Sequence, residues 1–443
     1  MSRRQNLCLP EQLESSQPMT APPHSPARPG AVRRFLAVLG PGVITGAADD
    51  DPSGVATYSI AGAQLGTTLL WTAVVTWPLM AAVQMMCARI GMVTGQGLGS
   101  ALMKKLPRPL VLLTALALLI ANTLNVGADL AGMADAAHDL TGWKSGYYVV
   151  IFGVVLAVIT VQFSYHRIAA GLKWLVLSLF AYVGTAFITH PAWRSVIRDT
   201  LVPSWPKDRA AWTMLVAILG TTISPYLFFW QSSEEVEEAH QKDPRLLRPR
   251  TRATADQLRN RRLDVGIGTF FSNLVMFFII LTCATTLHRA GLTKIETAHD
   301  ASAALQPLAG KFASLLYTAG LIGVGCLAIP TLTGSAAYAL AETFRWREGL
   351  DEPFNCAREF YGVVILATLC GIALNFLHIN PVQALYWSAV LNGVLSPFLL
   401  VAILLVASDR RIMADQPSAW SSRLVVGFTA VLMFGAAIGI FVA

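Results

Sequence analysis

The sequence predicts an all-α polytopic membrane protein of about 11 transmembrane helices, and composition gives the first reason. Of its 443 residues, 54% are hydrophobic and only 13% are charged, and the mean hydropathy is +0.54. That charged share is about half of what a soluble domain carries. A helix needs about 20 apolar residues to cross a bilayer, so the chain has room for roughly ten to twelve spans and for no separate soluble domain. The same composition excludes a disordered, collagen-like or disulfide-stapled chain.

Eleven apolar runs follow a polar amino-terminal tail. Residues 1–32 are rich in Pro, Ser and Arg and lack an apolar h-region, which predicts a disordered cytoplasmic tail and not a signal peptide. We expect a transporter core over 33–407, with spans 1–5 at about 35–189 and spans 6–10 at about 211–407. Residues 408–443 then form a link and span 11. The runs lie near 35–64, 67–88, 110–136, 147–166, 170–189, 211–236, 264–287, 313–341, 360–378, 381–407 and 423–442.

The basic residues predict the orientation of these spans. With the amino terminus inside, 25 Lys and Arg residues fall in the tail and in the links after even-numbered spans, and 8 fall on the opposite side. This asymmetry predicts a cytoplasmic amino terminus and an outside carboxyl terminus in the plasma (inner) membrane. The net charge of +7 is therefore interpreted as a topology signal and not as a nucleic-acid footprint. The expected partners are the lipid bilayer and a transported ion, and the expected oligomeric state is a monomer.

Span 1 is interrupted near its middle by three aspartates and a proline. Asp49, Asp50 and Asp51 precede Pro52 inside the apolar run. An aspartate at bilayer depth costs at least ~3 kcal/mol, so these side chains should face a cavity or a partner. A proline leaves unpaired the carbonyl four residues earlier, here that of Ala48. A carboxylate beside a free carbonyl suits a hard cation, and Asp51 is the predicted ligand. Asp49 and Asp50 either line the hydrated cavity or cap the break.

Span 6 has a similar interruption. Thr221, Ser224 and Pro225 lie mid-span, and Pro225 is expected to free the backbone oxygen of Thr221. The two prolines are 173 residues apart, in spans that enter the membrane from opposite sides. Paired interrupted spans in two oppositely oriented halves are typical of an inverted 5+5 repeat transporter with its site at the midplane. The alternative, proline kinks that only pack, does not explain a buried triple aspartate.

Four segments resemble the NRAMP divalent metal transporter family. Residues 40–71 resemble that family's first span, with its DPGN motif followed by AGA-x-x-G and LLW. Residues 88–95 resemble its ARLGVVTG link, 127–131 its ATDLAE stretch in span 3, and 224–232 its MPHNLYLHS stretch in span 6. The resemblance covers about 35–407. It implies the LeuT-type fold of the sodium-coupled amino-acid symporters, and a divalent metal ion as substrate with no cofactor.

The departures from the family pattern concern its ligands. Asp51 and Pro52 match the family's metal-binding Asp and its Pro, but Ser53-Gly54 replaces Gly-Asn. At the positions of the family's other ligands and titratable groups, Ser224 replaces a Met, and Tyr226 and Gln231 replace two histidines. Gly132 replaces the glutamate of span 3. Ala389 replaces a Gln of span 10, and Asn392 is the nearest amide. This pattern resembles the NRAMP-related branch associated with magnesium.

The donor set itself also favours a hard cation. The breaks of these spans offer the carboxylate of Asp51 with oxygens of Ser53, Thr221 and Ser224, and no sulfur or imidazole. Carboxylate, carbonyl and water suit Mg²⁺ and Mn²⁺, whereas thioethers favour softer metals. Mg²⁺ also keeps much of its water and takes one or two carboxylates.

Span 3 carries a polar stripe. Asn122, Asn125 and Asp129 share one helical face, either as part of an ion or proton route or as interhelical hydrogen-bonding groups. Gln231, Tyr226 and Asn392 are placed on the same route. Because the family's titratable groups are replaced, proton coupling is expected to be weak or absent.

The predicted function is a secondary carrier that moves Mg²⁺ and/or Mn²⁺ by alternating access. The alternative is a sodium-coupled amino-acid or organic solute symporter of the same fold, which the acidic triplet disfavours because it repels a substrate carboxylate. A membrane-embedded enzyme is a third class. The sequence contains no HExxH or GxSxG motif, and we expect no enzyme activity.

Overall fold

The computed structural model describes residues 49–163, 177–242, 252–377 and 379–442, and all regular structure in these ranges is helical. The helices are α1 (Pro52–Leu65), α2 (Trp71–Thr94), α3 (Leu98–Met103), α4 (Arg108–Thr141), α5 (Ser145–Gln162), α6 (Ala181–Ile188), α7 (Trp193–Leu201), α8 (Arg209–Thr222), α9 (Pro225–Lys242), α10 (Ala255–Cys283), α11 (Ala298–Ser302), α12 (Gln306–Ala309), α13 (Ala313–Phe344), α14 (Arg358–Leu374), α15 (Pro381–Ser408) and α16 (Trp420–Val442).

Within the described ranges, nine helical stretches are long and apolar enough to cross a membrane. They coincide with predicted spans 2, 3, 4 and 6 to 11. The second half of span 1 is α1, and its first half, with the tail at 1–32, lies outside the described residues. Span 5 is described only from residue 177, where a short apolar helix runs to Ile188. The polytopic all-α class is therefore confirmed. The short helix α7 between spans 5 and 6 had no counterpart in the sequence-based expectations.

The links after even-numbered spans contact one another, and so do links after odd-numbered spans. On one face, Lys105 pairs with Asp409 at 2.6 Å, and Gln416 exchanges hydrogen bonds with the backbone of Ala253. These contacts join the links after spans 2, 6 and 10. The links after odd-numbered spans meet elsewhere: Thr67 donates to Asp199, and Asn380 Nδ2 donates to the carbonyl of Glu296 at 3.0 Å. The alternation of the spans follows from this geometry. The assignment of the first face to the cytoplasm stays a prediction from the charge count.

The interrupted spans lie in the centre of the bundle. The apolar part of Arg209–His240 is 94% buried, against 22% for that of α5, so span 6 is internal and α5 lies at the periphery of the bundle. Helix α8 packs on α1 and α15, and α1 also packs on α10. Gly220 permits the closest of these crossings, because a Cβ there would meet the backbone of Ala389 and Gly393 on α15.

Both breaks are followed by a helix that begins at a proline. Pro52 is the first residue of α1 and Pro225 is the first residue of α9. A proline is tolerated at this position because the first amide of a helix has no intrahelical partner. The prolines therefore start the second half of each span, which refines the expectation that they sit inside a helix and free a carbonyl. The carbonyl of Ala48 lies outside the described residues.

Candidate metal site

Asp51 caps the second half of span 1. Its Oδ1 accepts hydrogen bonds from the backbone N–H of Gly54 at 2.6 Å and from Ser53 Oγ at 2.8 Å. The residue is 3% exposed. An aspartate at the N-cap is stabilised by the unpaired amides and the positive end of the helix dipole. Both bonds fall on Oδ1, which leaves Oδ2 as the carboxylate oxygen that a cation would bind.

Ser272 of α10 joins the other two aspartates. Its hydroxyl contacts Asp49 Oδ2 at 2.6 Å and Asp50 Oδ1 at 3.2 Å. Both aspartates are buried, and Asp49 Oδ1 has no hydrogen-bond partner among the described residues. Asp50 and Asp49 thus face span 7, while Asp51 faces its own helix. The three carboxylates do not converge on a single point.

The span-6 break is stabilised by hydroxyl groups. Ser224 Oγ contacts the carbonyls of Gly220 at 2.8 Å and Thr221 at 2.7 Å. The carbonyl of Ile223 accepts from Ser396 Oγ of α15 at 2.6 Å. Two predicted ligands, Ser224 and the Thr221 oxygen, are therefore hydrogen-bonded to each other. Each oxygen keeps a further lone pair, since a carbonyl carries two.

Tyr58 connects the two interrupted spans. Thr221 Oγ1 donates to the Tyr58 hydroxyl at 3.0 Å, which links α8 to α1. Tyr226, the second residue of α9, is buried and lies close enough to Asp51, Asp49 and Asp129 to interact with their charges. The structure therefore brings Tyr226 and the aspartates into one polar region at the breaks.

The polar stripe of span 3 lies on α4 and is fully buried. Asn122 Nδ2 donates to the carbonyl of Leu332 at 2.8 Å and to Ser335 Oγ at 2.9 Å, both on α13. These are interhelical hydrogen bonds of the kind expected under one of the two interpretations of the polar stripe. Asn125 and Asp129 have no hydrogen bond of normal geometry to any described residue, although the backbone N–H of Ser53 lies beside Asp129. Asp129 also interacts electrostatically with Asp51.

The remaining route residues occupy different places. Gln231 Nε2 donates to Glu235 Oε1 at 2.9 Å along α9, and its own Oε1 has no described partner. Asn392 is buried on α15 one turn before Ser396, and its Oδ1 has no described partner either. Neither contacts Asp51 by a hydrogen bond in the described part of the chain.

The polar groups at the breaks are mainly oxygen donors, and their charged side chains do not form a tight cluster. Among the described residues, no group of three or more His, Cys, Asp or Glu side chains is arranged to hold a metal. The buried atoms without partners include oxygens of Asp49, Asn125, Asp129 and Asn392. Unpaired buried acceptors of this kind call for water or an ion. The arrangement fits a cation that retains water and binds one or two carboxylates.

Three site residues were missed by sequence reasoning: Ser272, Ser396 and Tyr58. The two serines are ordinary polar residues in apolar runs, and each bonds a group far away in the chain. Tyr58 could have been predicted, because it follows Asp51 by seven residues and therefore lies on the same face of a helix.

Glu342 of α13 anchors the second half of span 6 at a point beyond the break. Its carboxylate accepts from the backbone N–H of Ser100 at 2.7 Å and from Ser233 Oγ at 3.0 Å. Ser232 Oγ accepts from the backbone N–H of Leu98 at 2.9 Å. A buried carboxylate therefore caps α3 and holds α9 against it.

An ion-pair cluster holds the same helix to span 7. Arg261 of α10 pairs with Glu235 at 2.6 Å, with Asp264 at 2.5 Å and with Glu238. Arg261 is only 8% exposed, because these three carboxylates surround it between the two helices.

Helices interrupted at paired prolines, with buried carboxylates at the break of span 1, define a polytopic membrane carrier with the LeuT-type fold. Residues 42–443 match the family described as Nramp, natural resistance-associated macrophage protein-like. The chain belongs to this family.

Its relatives agree with this assignment, and its structural neighbours share its fold. It is 26% identical over 407 residues to the divalent metal cation transporter MntH of Caldanaerobacter subterraneus subsp. tengcongensis, covering 87% of this chain and 89% of the relative. It is also 26% identical over 397 residues to MntH of Chromohalobacter salexigens, covering 87% of each. The manganese transporter of Eremococcus coleocola shares the fold, with a TM-score of 0.68 at 19% identity over 94% of this chain and 95% of that one. Mhp1, a nucleobase-cation-symport-1 family transporter, reaches a TM-score of 0.51 at 13% identity over 91% and 92%.

Proposed function

We propose that this protein is a secondary carrier for hard divalent cations, Mg²⁺ and/or Mn²⁺, across the plasma membrane, with its amino terminus in the cytoplasm. The observation that carries the proposal is the carboxylate of Asp51 at the break of span 1, buried and with one oxygen left for a cation. The relatives named above are divalent metal cation transporters. Family membership and this site together support a metal ion as the transported substrate.

The preference for hard ions rests on the bonding partners at the breaks. Asp51, Thr221 and Ser224 contact only oxygens and backbone amides in the described hydrogen bonds. Oxygen donors favour Mg²⁺ and Mn²⁺ over softer metals. The unpaired acceptors nearby leave places for the water molecules that Mg²⁺ retains.

Transport is proposed to be weakly coupled to protons or not coupled at all. Tyr226, Gln231 and Gly132 occupy the positions of the family's titratable groups. An amide does not exchange protons in this way, and glycine has no side chain to do so. Leu385 of α15 packs closely against Gly132, since a Cβ at this glycine would meet the Leu385 side chain at 2.8 Å. A divalent ion is driven inward by the membrane potential alone, by about 4.6 kcal/mol at 100 mV.

The arrangement at Pro52 argues against an amino-acid symporter. In that class, the free N-terminus of an interrupted helix binds the substrate carboxylate. Here Asp51 already occupies the N-terminus of α1 through Gly54. A second carboxylate would meet a negative charge where it needs amide donors.

An ion-flux panel in proteoliposomes tests the proposal. Purified protein is reconstituted, and uptake of Mg²⁺, Mn²⁺ and Cd²⁺ is followed with trapped indicator dyes. We expect uptake of Mg²⁺ and Mn²⁺ and poor competition by Cd²⁺. If Cd²⁺ binds more tightly than Mg²⁺, the ligand argument is wrong. Uptake of amino acids by the proteoliposomes in the absence of divalent metal would favour the alternative class, an amino-acid symporter.

A further inference from the structure

The short helix α7, between spans 5 and 6, carries an exposed apolar face. Trp193, Ile197 and Leu201 follow one another at four-residue intervals, so they share one side of the helix. Ile197 is 56% exposed and Leu201 is 68% exposed. A single exposed apolar residue needs no explanation, but a continuous apolar row along a helix indicates a surface that contacts a membrane or another protein.

The other sides of α7 have different surroundings. Val196 is buried and belongs to the apolar cluster that contains Leu69 and Leu70, at the end of the link between spans 1 and 2. Arg194 and Arg198 lie on the flank of the apolar face that points away from Val196, and both are exposed. An apolar face bordered by basic side chains is typical of a helix that lies in a membrane interface.

The level of α7 in the bundle agrees with such a position. The helix begins shortly after Ile188, where the short apolar helix of span 5 ends. The ring of Trp193 lies 5.3 Å from that of Phe187 in α6, and the Phe187 ring lies 6.1 Å from that of Phe278 in α10. Aromatic side chains near the ends of spans concentrate at the boundary between membrane and water. The start of α7 therefore lies at the depth where a span ends.

A phospholipid surface fits this face better than a second copy of the chain does. The arginine stems can cover apolar surface while the guanidinium groups of Arg194 and Arg198 donate to lipid phosphates. Two copies that met through this face around a two-fold axis would bring their arginines together, and like charges oppose such an interface. Charge complementarity therefore favours lipid as the partner of the apolar face.

The helix is also tied to the turn that follows α1. Asp199 Oδ2 accepts from Thr67 Oγ1 at 2.5 Å. Ser204, just after the helix, donates from its hydroxyl to the carbonyl of Thr68 at 2.6 Å. Asp51 caps the opposite end of α1. The position of α7 therefore bears on the far end of the helix that starts at the candidate metal site.

We propose that α7 is a membrane-interface helix that supports span 1. Its apolar face inserts at the headgroup boundary of the nearer leaflet, and Arg194 and Arg198 bind lipid phosphates. The bonds to Thr67 and Thr68 transmit this position to the end of α1. The phospholipid surface thus stabilises the half-span that begins beside Asp51. The inference does not depend on which ion is transported, so it holds or fails separately from the proposed function.

A reporter dye on α7 tests its place in the membrane. A nitrobenzoxadiazole dye is attached to one cysteine, introduced by Ile197→Cys on the apolar face or by Ser195→Cys on the opposite side of the helix. The exposed native cysteines are first replaced by serine, and the labelled protein is placed in nanodiscs of phosphatidylcholine. Quenching is measured with iodide in the water and with a phosphatidylcholine that carries a nitroxide high on its acyl chain.

We expect the nitroxide lipid to quench the dye at position 197 and iodide to quench the dye at position 195. Equal quenching by iodide at both positions would place α7 in water and would overturn the inference. A dye at position 197 that is shielded from both quenchers would show that another protein surface covers the apolar face, which would also overturn it.

Hydrogen exchange in the same nanodiscs tests the connection to span 1. The amides of Thr68 and Leu70 are hydrogen-bonded within the turn that follows α1. Asp199→Ala should speed exchange in residues 66–70 by roughly tenfold, the effect of losing one hydrogen bond to a charged group. Ile197→Asp should also speed it, because a carboxylate on the apolar face opposes insertion. Ser195→Asp is the matched control, since it adds the same charge on the opposite side of the helix.

Unchanged exchange in Ile197→Asp would contradict the connection between the lipid surface and span 1. An equal rise in Ser195→Asp would contradict it as well, because the effect would then come from charge alone. Should Ile197→Asp fail to fold, Ile197→Ser takes its place, with a smaller rise expected because it removes apolar contact without adding a charge.

Discussion

At the scale of single residues, the proposed oxygen site depends on Ser224. Its hydroxyl bonds the carbonyls of Gly220 and Thr221, which closes the end of α8 at the break. A hydroxyl is short enough to bond its own helix and still present a lone pair outward. A longer side chain at this position reaches past these carbonyls into the polar region.

Replacing this hydroxyl by a thioether should change metal preference. Ser224→Met removes the donor to both carbonyls and adds a sulfur, which favours softer metals. We expect the Cd²⁺ to Mg²⁺ uptake ratio to rise by roughly tenfold, the effect of about 1.4 kcal/mol in relative affinity. The measurement is competitive uptake in proteoliposomes. Thr222→Val is the control, because the Thr222 hydroxyl bonds Ile218 within α8. An unchanged ratio in Ser224→Met would remove Ser224 from the site.

The site residues differ in how far the sequence could predict them. Asp51 and the two breaks were predictable, because a carboxylate and a proline in an apolar run violate the rules for a lipid-facing helix. Ser272 and Ser396 were not, because a serine in a span is unremarkable until its partner is known. Their partners lie 223 and 173 residues away in the chain. The roles assigned to Asp129 and Asn125 stay predictions.

At the scale of elements, the second half of span 6 is held to its neighbours by contacts made beyond its first turn. Glu342 caps the short helix α3 and bonds Ser233 of α9. The carboxylate reaches α3 only because residue 97 is a glycine: a Cβ there would occupy the space of the Glu342 carboxylate. Gly97 therefore allows the buried carboxylate to pack against the start of α3.

A methyl group at this glycine should loosen α9. Gly97→Ala should lower stability by about 1–3 kcal/mol, the usual cost of overpacking, because Glu342 must leave its donors. The thermal unfolding midpoint in detergent measures this effect. Gly266→Ala is the matched control, since a Cβ at Gly266 in α10 meets nothing within 4 Å. Equal midpoints for the two variants would show that the Glu342 anchor contributes little.

At the scale of the whole molecule, the periodic apolar runs predicted the all-α class and the alternation of spans. The structure agrees where it is described, since links after even-numbered spans contact one another and links after odd-numbered spans contact one another. Hydropathy could not predict α7, because its nine residues are too few to span and its role depends on the surrounding helices. The relative placement of helices also escaped prediction, since it depends on close contacts such as that at Gly220.

The proposed absence of tight proton coupling concerns the whole transport cycle. A pH-sensitive dye trapped in proteoliposomes, with Mg²⁺ or Mn²⁺ added outside, measures it. We expect clear metal uptake with little acidification, because Tyr226, Gln231 and Gly132 replace titratable groups and an unperturbed phenol titrates near pH ~10. A pH drop comparable to the metal flux, and lost in Asp129→Asn, would instead make Asp129 the proton carrier.

The central claim is that the buried carboxylate at the break of span 1 holds the transported ion. The most direct test compares Mg²⁺ uptake by wild type and by Asp51→Asn in matched proteoliposomes. Asparagine is as good an N-cap as aspartate, so its side-chain oxygen can still accept from Gly54 and α1 should remain capped. The substitution therefore removes the charge and preserves the helix start. We predict uptake at the level of empty liposomes with an unchanged yield of folded protein, and near-normal uptake by the variant would contradict the account.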